Sequence, residues 1–214
     1  MGSTPTFGTS KINNMIKIII FDTDGVLIHH EMYFSQRFSK EFGIPMDDVL
    51  QFFKNEFQLC LVGKADLKEE LAKYFPKWKW ERTVDELLAF WFENENNVDK
   101  RILENVTSLR KNGIRCYLDT NNEKYRVKYL FEDMGLKNYF DGSFSSAELG
   151  YLKPQQEFWA MIHEHLGHPD KKNVLVWDDD EKNVESAKFF GFNSEFYSTF
   201  DGYKKVMKSL FHAS

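Results

Sequence analysis

Four short stretches carry the residues that could do chemistry. IIIFDTDGVLI (18–28) ends an apolar run on two carboxylates one residue apart, Asp22 and Asp24, followed by Gly25. IRCYLDTNN (114–122) delivers Asp119, Thr120 and Asn121; GYLKP (150–154) delivers Lys153; VLVWDDD (174–180) delivers Asp178, Asp179 and Asp180. Burying an unpaired carboxylate costs several kcal/mol or shifts its pKa. Carboxylates gathered at one place repel unless a cation sits among them. Hard oxygen ligands suit Mg²⁺, which keeps waters that a substrate phosphate can displace. A lysine and a small hydroxyl suit phosphoryl oxygens. The residue types point to magnesium-assisted phosphoryl transfer.

These residues need elements that bring them together. The β-branched run 16–21 suits a central strand of a parallel sheet, buried on both faces. Similar runs recur at 114–118 and 173–177, with weaker ones at 195–197 and 142–145. Apolar residues at helical spacing lie between them, over 98–111, 123–134, 155–166 and 180–190. Asn112-Gly113 and Gly191 serve as stops. Strand and helix in alternation give an α/β fold with a Rossmann-like, doubly wound parallel sheet. In such sheets ligands bind outside the carboxyl ends of the strands, where three of the stretches end, while GYLKP puts its lysine just before a helix start. Between 31 and 97 the alternation lapses. Phe34, Phe38 and Phe42 form one apolar stripe. Val49, Leu50, Phe53 and Phe57 form a second, and Leu67, Leu71, Tyr74 and Phe75, stopped by Pro76, a third. Leu87, Leu88, Trp91 and Phe92 form a fourth. This predicts a four-helix insertion after the first strand.

The ordered set resembles the haloacid dehalogenase-like hydrolase superfamily. DTDGV at 22–26 is similar to its first motif, Thr120-Asn121 to the second, Lys153 to the third, and the acidic pair in VWDDDEKNVESA to the fourth. The resemblance implies that Asp22 is a nucleophile forming an aspartyl-phosphate. It implies that Asp24 is the general acid, then base, with a raised pKa in a crowded acidic site. Mg²⁺ would be held by Asp22, the backbone carbonyl of Asp24, and Asp178 or Asp179. Thr120 and Lys153 would hold phosphoryl oxygens, and Asn121 would orient the loop or touch phosphate. Gly25 would let the backbone turn beneath the phosphate. The aspartate at 24 favours the phosphatase and phosphomutase branches over true dehalogenases. The insertion matches the family's helical cap, implying a core of 15–28 plus 98–214 and a cap of 29–97. GKADLKEEL (63–71) is similar to a cap segment of small sugar-phosphate phosphatases.

Plainer readings cover the remaining candidates. Asp119 reads as a supporting or loop aspartate, and Asp180 as a helix N-cap. Asn183 reads equally as a buttress of the metal site and as a helix-surface side chain. His29 and His30 read as solvated linker residues, Lys64 and Arg82 as surface charges. His163, His165 and His168 lack the spacing of a metal pair.

The 214-residue chain carries 42% hydrophobic and 16% aromatic residues and a formal charge of −5, which fits one globular domain with an insertion. Nothing in that charge balance suits a nucleic acid polymer or an acidic membrane. With two cysteines, Cys60 and Cys116, reduced thiols are expected. Residues 1–14 are polar and small, lack the apolar stretch of a signal peptide, and read as a disordered tail or expression remnant. The expectation is a cytoplasmic, Mg²⁺-dependent phosphatase, as compatible with a monomer as with a dimer, acting on a small phosphomonoester such as a sugar phosphate or nucleotide. A β-phosphoglucomutase-like mutase and a catalytically silent phospho-ligand-binding protein are the alternatives. A receiver module, which orders its acidic pair, aspartate and lysine differently and has no large helical insertion, does not fit.

Overall fold

The computed structural model describes residues 16–212; the expected N-terminal tail lies outside them. In chain order the elements are β1 (Ile18–Asp22), α1 (Phe34–Phe42), α2 (Met46–Lys54), α3 (Glu56–Leu61), α4 (Leu67–Trp78), α5 (Val84–Phe92), α6 (Lys100–Lys111), β2 (Arg115–Thr120), α7 (Lys124–Lys128), β3 (Gly142–Ser145), α8 (Ser146–Leu149), α9 (Gln156–His165), β4 (Val174–Asp178), α10 (Glu181–Phe190), β5 (Asn193–Phe196) and α11 (Phe200–His212).

The strands form one parallel sheet in the order β3-β2-β1-β4-β5. β1 is central and wholly buried because its residues alternate between two apolar layers. Ile18 and Ile20 pack with Phe158, Trp159 and Val176; Ile19 and Phe21 pack with Ile102, Leu118 and Tyr203. Register fixes the chemistry. Asp22 stands beside Asp119, and Phe21 beside Trp177 just before Asp178. The carboxylates therefore leave the sheet at the same edge.

Local signals set the helix ends. Asp180 caps α10 through the Lys182 N–H (2.8 Å), as expected. Asp99 caps α6 in the same way (2.9 Å), and Thr83 with Glu86 closes a capping box on α5. Among the described residues the insertion has five helices. They pack around their own aromatic cluster, which includes Phe38, Phe52, Trp78 and Leu87.

Several expectations are corrected. The second stripe splits into α2 and α3 at Asn55, whose side-chain amide donates to the Gln51 carbonyl (2.9 Å) and competes with helix continuation. Pro76 lies inside α4, which runs on to the buried Trp78 and stops at Lys79 in the left-handed region (φ 53°). Proline so near the end disturbs only the last turn, and the buried tryptophan offsets it. The 123–134 helix becomes a π-helical turn from Tyr129 to Asp133. α8 and α11 are additions to the expected elements, although Tyr203 and Met207 of α11 lie four apart and face the core. Both cysteines are free and buried.

Candidate active site

The carboxyl ends of β1, β2 and β4 place Asp22, Asp119 and Asp178 around one ammonium group. Lys153 Nζ donates to Asp22 Oδ1 (2.5 Å) and Asp178 Oδ2 (2.9 Å) and lies 2.9 Å from Asp119 Oδ1. All four side chains are buried. Lys153 reaches them because its backbone N–H donates to Asn121 Oδ1 (3.0 Å), so Asn121 orients the lysine loop. Asn183 is buried and donates to both oxygens of Asp178 (3.0 and 3.1 Å), so it is not a helix-surface side chain.

Burial drives the proton affinity of Asp22 well above the carboxylate range. Lys153 opposes this, while Asp178 and Asp119 add to it. Asp119 is pushed up to about 6 by burial, with Lys153 opposing. The reverse holds for the lysine: burial would lower its proton affinity, but the three carboxylates raise it well above the usual value. Three acidic groups share one cation in this low-dielectric setting. Carboxylate oxygens of Asp22, Asp119 and Asp178 lie within 4.8 Å of one another, an all-oxygen donor set that fits a hard divalent ion.

Of its two readings, supporting residue and loop aspartate, Asp119 takes the first. It belongs to the cluster because the β1–β2 register sets it against Asp22. Both strands end an apolar run on Asp at this point, which was the available signal. Asp179 lies against Gly25, where a Cβ would meet Asp179 Oδ2 at 1.9 Å, and its carboxyl also hydrogen-bonds with Asp22. With φ at +94°, position 25 admits only glycine, for the turn and for this close approach.

Asp24 is held separately. His30 Nε2 donates to its Oδ1 (2.9 Å), and Asn122 Nδ2 donates to its Oδ2 (2.6 Å) and to Thr120 Oγ1 (2.6 Å). Arg126 Nη2 stands 3.9 Å from Asp24 Oδ1. Burial would raise the proton affinity of Asp24. The His30 hydrogen bond, Arg126 and Asn122 outweigh it and hold the carboxyl below its ordinary value. The expected raised pKa is therefore corrected: basic and amide neighbours surround this group, not other acids. His30 is corrected likewise, its side chain being largely buried on Asp24, whereas His29 remains partly exposed beside Asp99. Asn122 and Arg126 had no motif to announce them. His163 bonds the Pro169 carbonyl and His165 the Met161 carbonyl, and Arg82 lies over the Trp80 ring.

A cleft of about 340 Å³ opens between the insertion and the core, lined by Cys60, Lys64, Asp66, Glu123 and Lys124 among others. Lys64 thus lines a cleft, beyond its reading as a plain surface charge. Asp66 bonds Lys124 (2.6 Å) and Tyr125 (2.7 Å) across it. Burial pushes the Glu123 carboxyl from 4.5 up to about 7, despite the backbone N–H groups of Tyr125 and Arg126 that favour its ionised form. The folded chain then keeps a proton that the unfolded chain has released. Stability falls as pH rises between about 4.5 and about 7. Glu123→Gln is expected to flatten that slope, a difference on the order of 2–3 kcal/mol across the window. Urea unfolding from pH 4.5 to 8 checks it; parallel slopes would contradict it.

A sequence profile of haloacid dehalogenase-like hydrolases matches residues 16–191, and the chain belongs to this family. It is an enzyme with the acidic strand-end site of the family's phosphatase branch. It is 27% identical over 189 residues to the D-ribitol-5-phosphate phosphatase of Bacteroides thetaiotaomicron, an alignment covering 84% of this chain and 91% of that one. Its fold matches that of a family enzyme from the same organism in complex with magnesium and inorganic phosphate (TM-score 0.76, 19% identity, 89% and 98% of the two chains). It also matches a haloacid dehalogenase-like hydrolase from Porphyromonas gingivalis (TM-score 0.72, 23% identity, 91% and 98%). Among the described residues no helix is long and apolar enough to cross a membrane.

Proposed function

We propose that the chain is a Mg²⁺-dependent phosphatase that hydrolyses a small phosphomonoester through a phosphoryl group carried on Asp22. The observation that carries this reading is the pairing of two differently held aspartates. Asp22 sits in a carboxylate trio around Lys153, and Asp24 sits apart among proton-donating neighbours.

In this reading an Asp22 oxygen attacks phosphorus as the bond to the leaving oxygen breaks, and Asp24 gives that oxygen its proton. Water then attacks phosphorus, the bond to Asp22 breaks, and Asp24 takes the proton back. The incoming phosphate's negative charge supplies what Asp24 lacks in the free site, a reason to hold a proton. Lys153 favours the ionised form of Asp22 against its burial and offers donors to phosphoryl oxygens, as does Thr120. Mg²⁺ would be held by Asp22, the Asp24 carbonyl and Asp178 or Asp179, the former bound by Lys153 and Asn183 and the latter beside Asp22. It would supply charge neutralisation for the phosphoryl group.

Residues 29–97 act as the cap and select the substrate. The relative's name supports a polyol or sugar phosphate over a nucleotide. That name also supports hydrolysis over phosphoryl relocation. Phosphate release from a panel of pentitol, sugar and nucleoside monophosphates, with Mg²⁺ and with a chelator, tests this. Release from polyol or sugar phosphates, lost on chelation, is expected. No release from any member, or release unaffected by chelation, would contradict it.

A further inference from the structure

The two crossings between core and insertion both converge on Asp24. From the first, His30 reaches Asp24 Oδ1 (2.9 Å). At the second, Arg126 rises from α7 in the core and donates to the backbone carbonyls of Phe92 (3.3 Å) and Glu95. The same guanidinium stands 3.9 Å from Asp24 Oδ1. It is 3% exposed and lies over the rings of Phe92 and Tyr129 (5.4 and 5.7 Å to the centroids). Glu95 in turn accepts from the Phe34 N–H (2.6 Å) at the start of α1 and from Trp91 Nε1 (2.9 Å). The exit of the insertion is thereby tied to its entry. A buried guanidinium needs its N–H groups satisfied and its charge faced. Here the hinge backbone does the first and Asp24 the second.

We infer that Arg126 is a positioning residue that sets the Asp24 carboxylate against the hinge of the insertion. The guanidinium that faces Asp24 is itself held by the Phe92 and Glu95 carbonyls at the exit of the insertion, so the placement of the proton-transfer group depends on that contact. Arg126 acts through Asp24 and not on the phosphoryl group. The inference rests on the phosphatase reading, in which Asp24 moves the proton.

A double-mutant cycle on the full chain separates the two. Arg126→Gln, Arg126→Lys and Asp24→Asn, singly and combined, would be assayed on D-ribitol 5-phosphate and p-nitrophenyl phosphate with Mg²⁺, with thermal melts to verify folding. Asp24→Asn alone tests the phosphatase reading and is expected to lose on the order of 10²–10⁴-fold in turnover. Arg126→Gln is expected to lower kcat by on the order of 10–100-fold with little change in KM. In the Asp24→Asn background it is expected to add no more than about twofold. Arg126→Lys, which keeps the charge but loses the fork, is expected to recover part of the loss, and it carries the cycle if Arg126→Gln fails to fold. Losses that multiply in full, or a raised KM with unchanged kcat, would overturn the inference while leaving the phosphatase reading intact. An active Asp24→Asn enzyme, or a wild type without turnover, would overturn that reading and the inference with it.

Discussion

Asp22→Asn is expected to lose phosphatase turnover by on the order of 10⁴-fold or more while the protein unfolds at an equal or higher temperature. The two halves of this result have one cause. Asp22 is buried beside Asp119 and Asp178, and the trio shares a single ammonium. Burial and its acidic neighbours make the ionised form of Asp22 costly in the free protein. An amide of nearly the same shape removes that charge and keeps an acceptor for Lys153. What it cannot do is attack phosphorus and later leave. In the proposed mechanism the nucleophile is thus held against the preference of the fold, a trade of stability for activity. Kinetics and a thermal melt on the same preparation check both halves. Retained turnover would remove Asp22 as nucleophile. Lost turnover with a strongly lowered melting temperature would show that the side chain is structural.

Lys153→Met is expected to do the opposite to stability. Methionine fills much of the lysine volume, but the three carboxylates lose their common cation. Breaking a buried ion pair by removing one partner costs about 3–5 kcal/mol, and three acceptors here depend on one donor. Without the ammonium each carboxyl takes a proton more readily in the folded state. Its cost is then absent at low pH and grows as pH rises through the carboxylate range. The variant should lie nearest to wild type near pH 4 and furthest from it near pH 8, with turnover lost throughout. Urea midpoints at both pH values measure this. Equal destabilisation at both would assign Lys153 a packing role instead.

Much of this arrangement was legible in the chain because its signals are local. An apolar run ending on Asp-x-Asp-Gly, a glycine at a left-handed turn, a lysine before a helix and an Asp N-cap each depend on neighbours in sequence. The parallel sheet followed from alternating strand and helix patterns, and β3 lies at 142–145 as read from Gly142 to Ser145. The less legible features are set by pairing across distance. Asp119 joins the trio only because register aligns it with Asp22. His30, Asn122 and Arg126 surround Asp24 only because the hinge folds back onto the β2–α7 loop. Their effect reverses the pKa that crowding alone predicts for Asp24. The break at Asn55 and the continuation through Pro76 are decided by a competing side-chain hydrogen bond and by the burial of Trp78. The first is a local competition for the backbone; at the second, tertiary packing overrides propensity.

The claim at the centre of this account is that Asp22 carries the phosphoryl group between the two steps. Acid quenching of the protein during turnover of D-ribitol 5-phosphate with Mg²⁺, followed by peptide mass mapping, tests it most directly. The account predicts one phosphoryl group on the peptide bearing Asp22, absent from Asp22→Asn. A phosphoryl group on any other residue, or active wild-type enzyme that never carries one on Asp22, would contradict it.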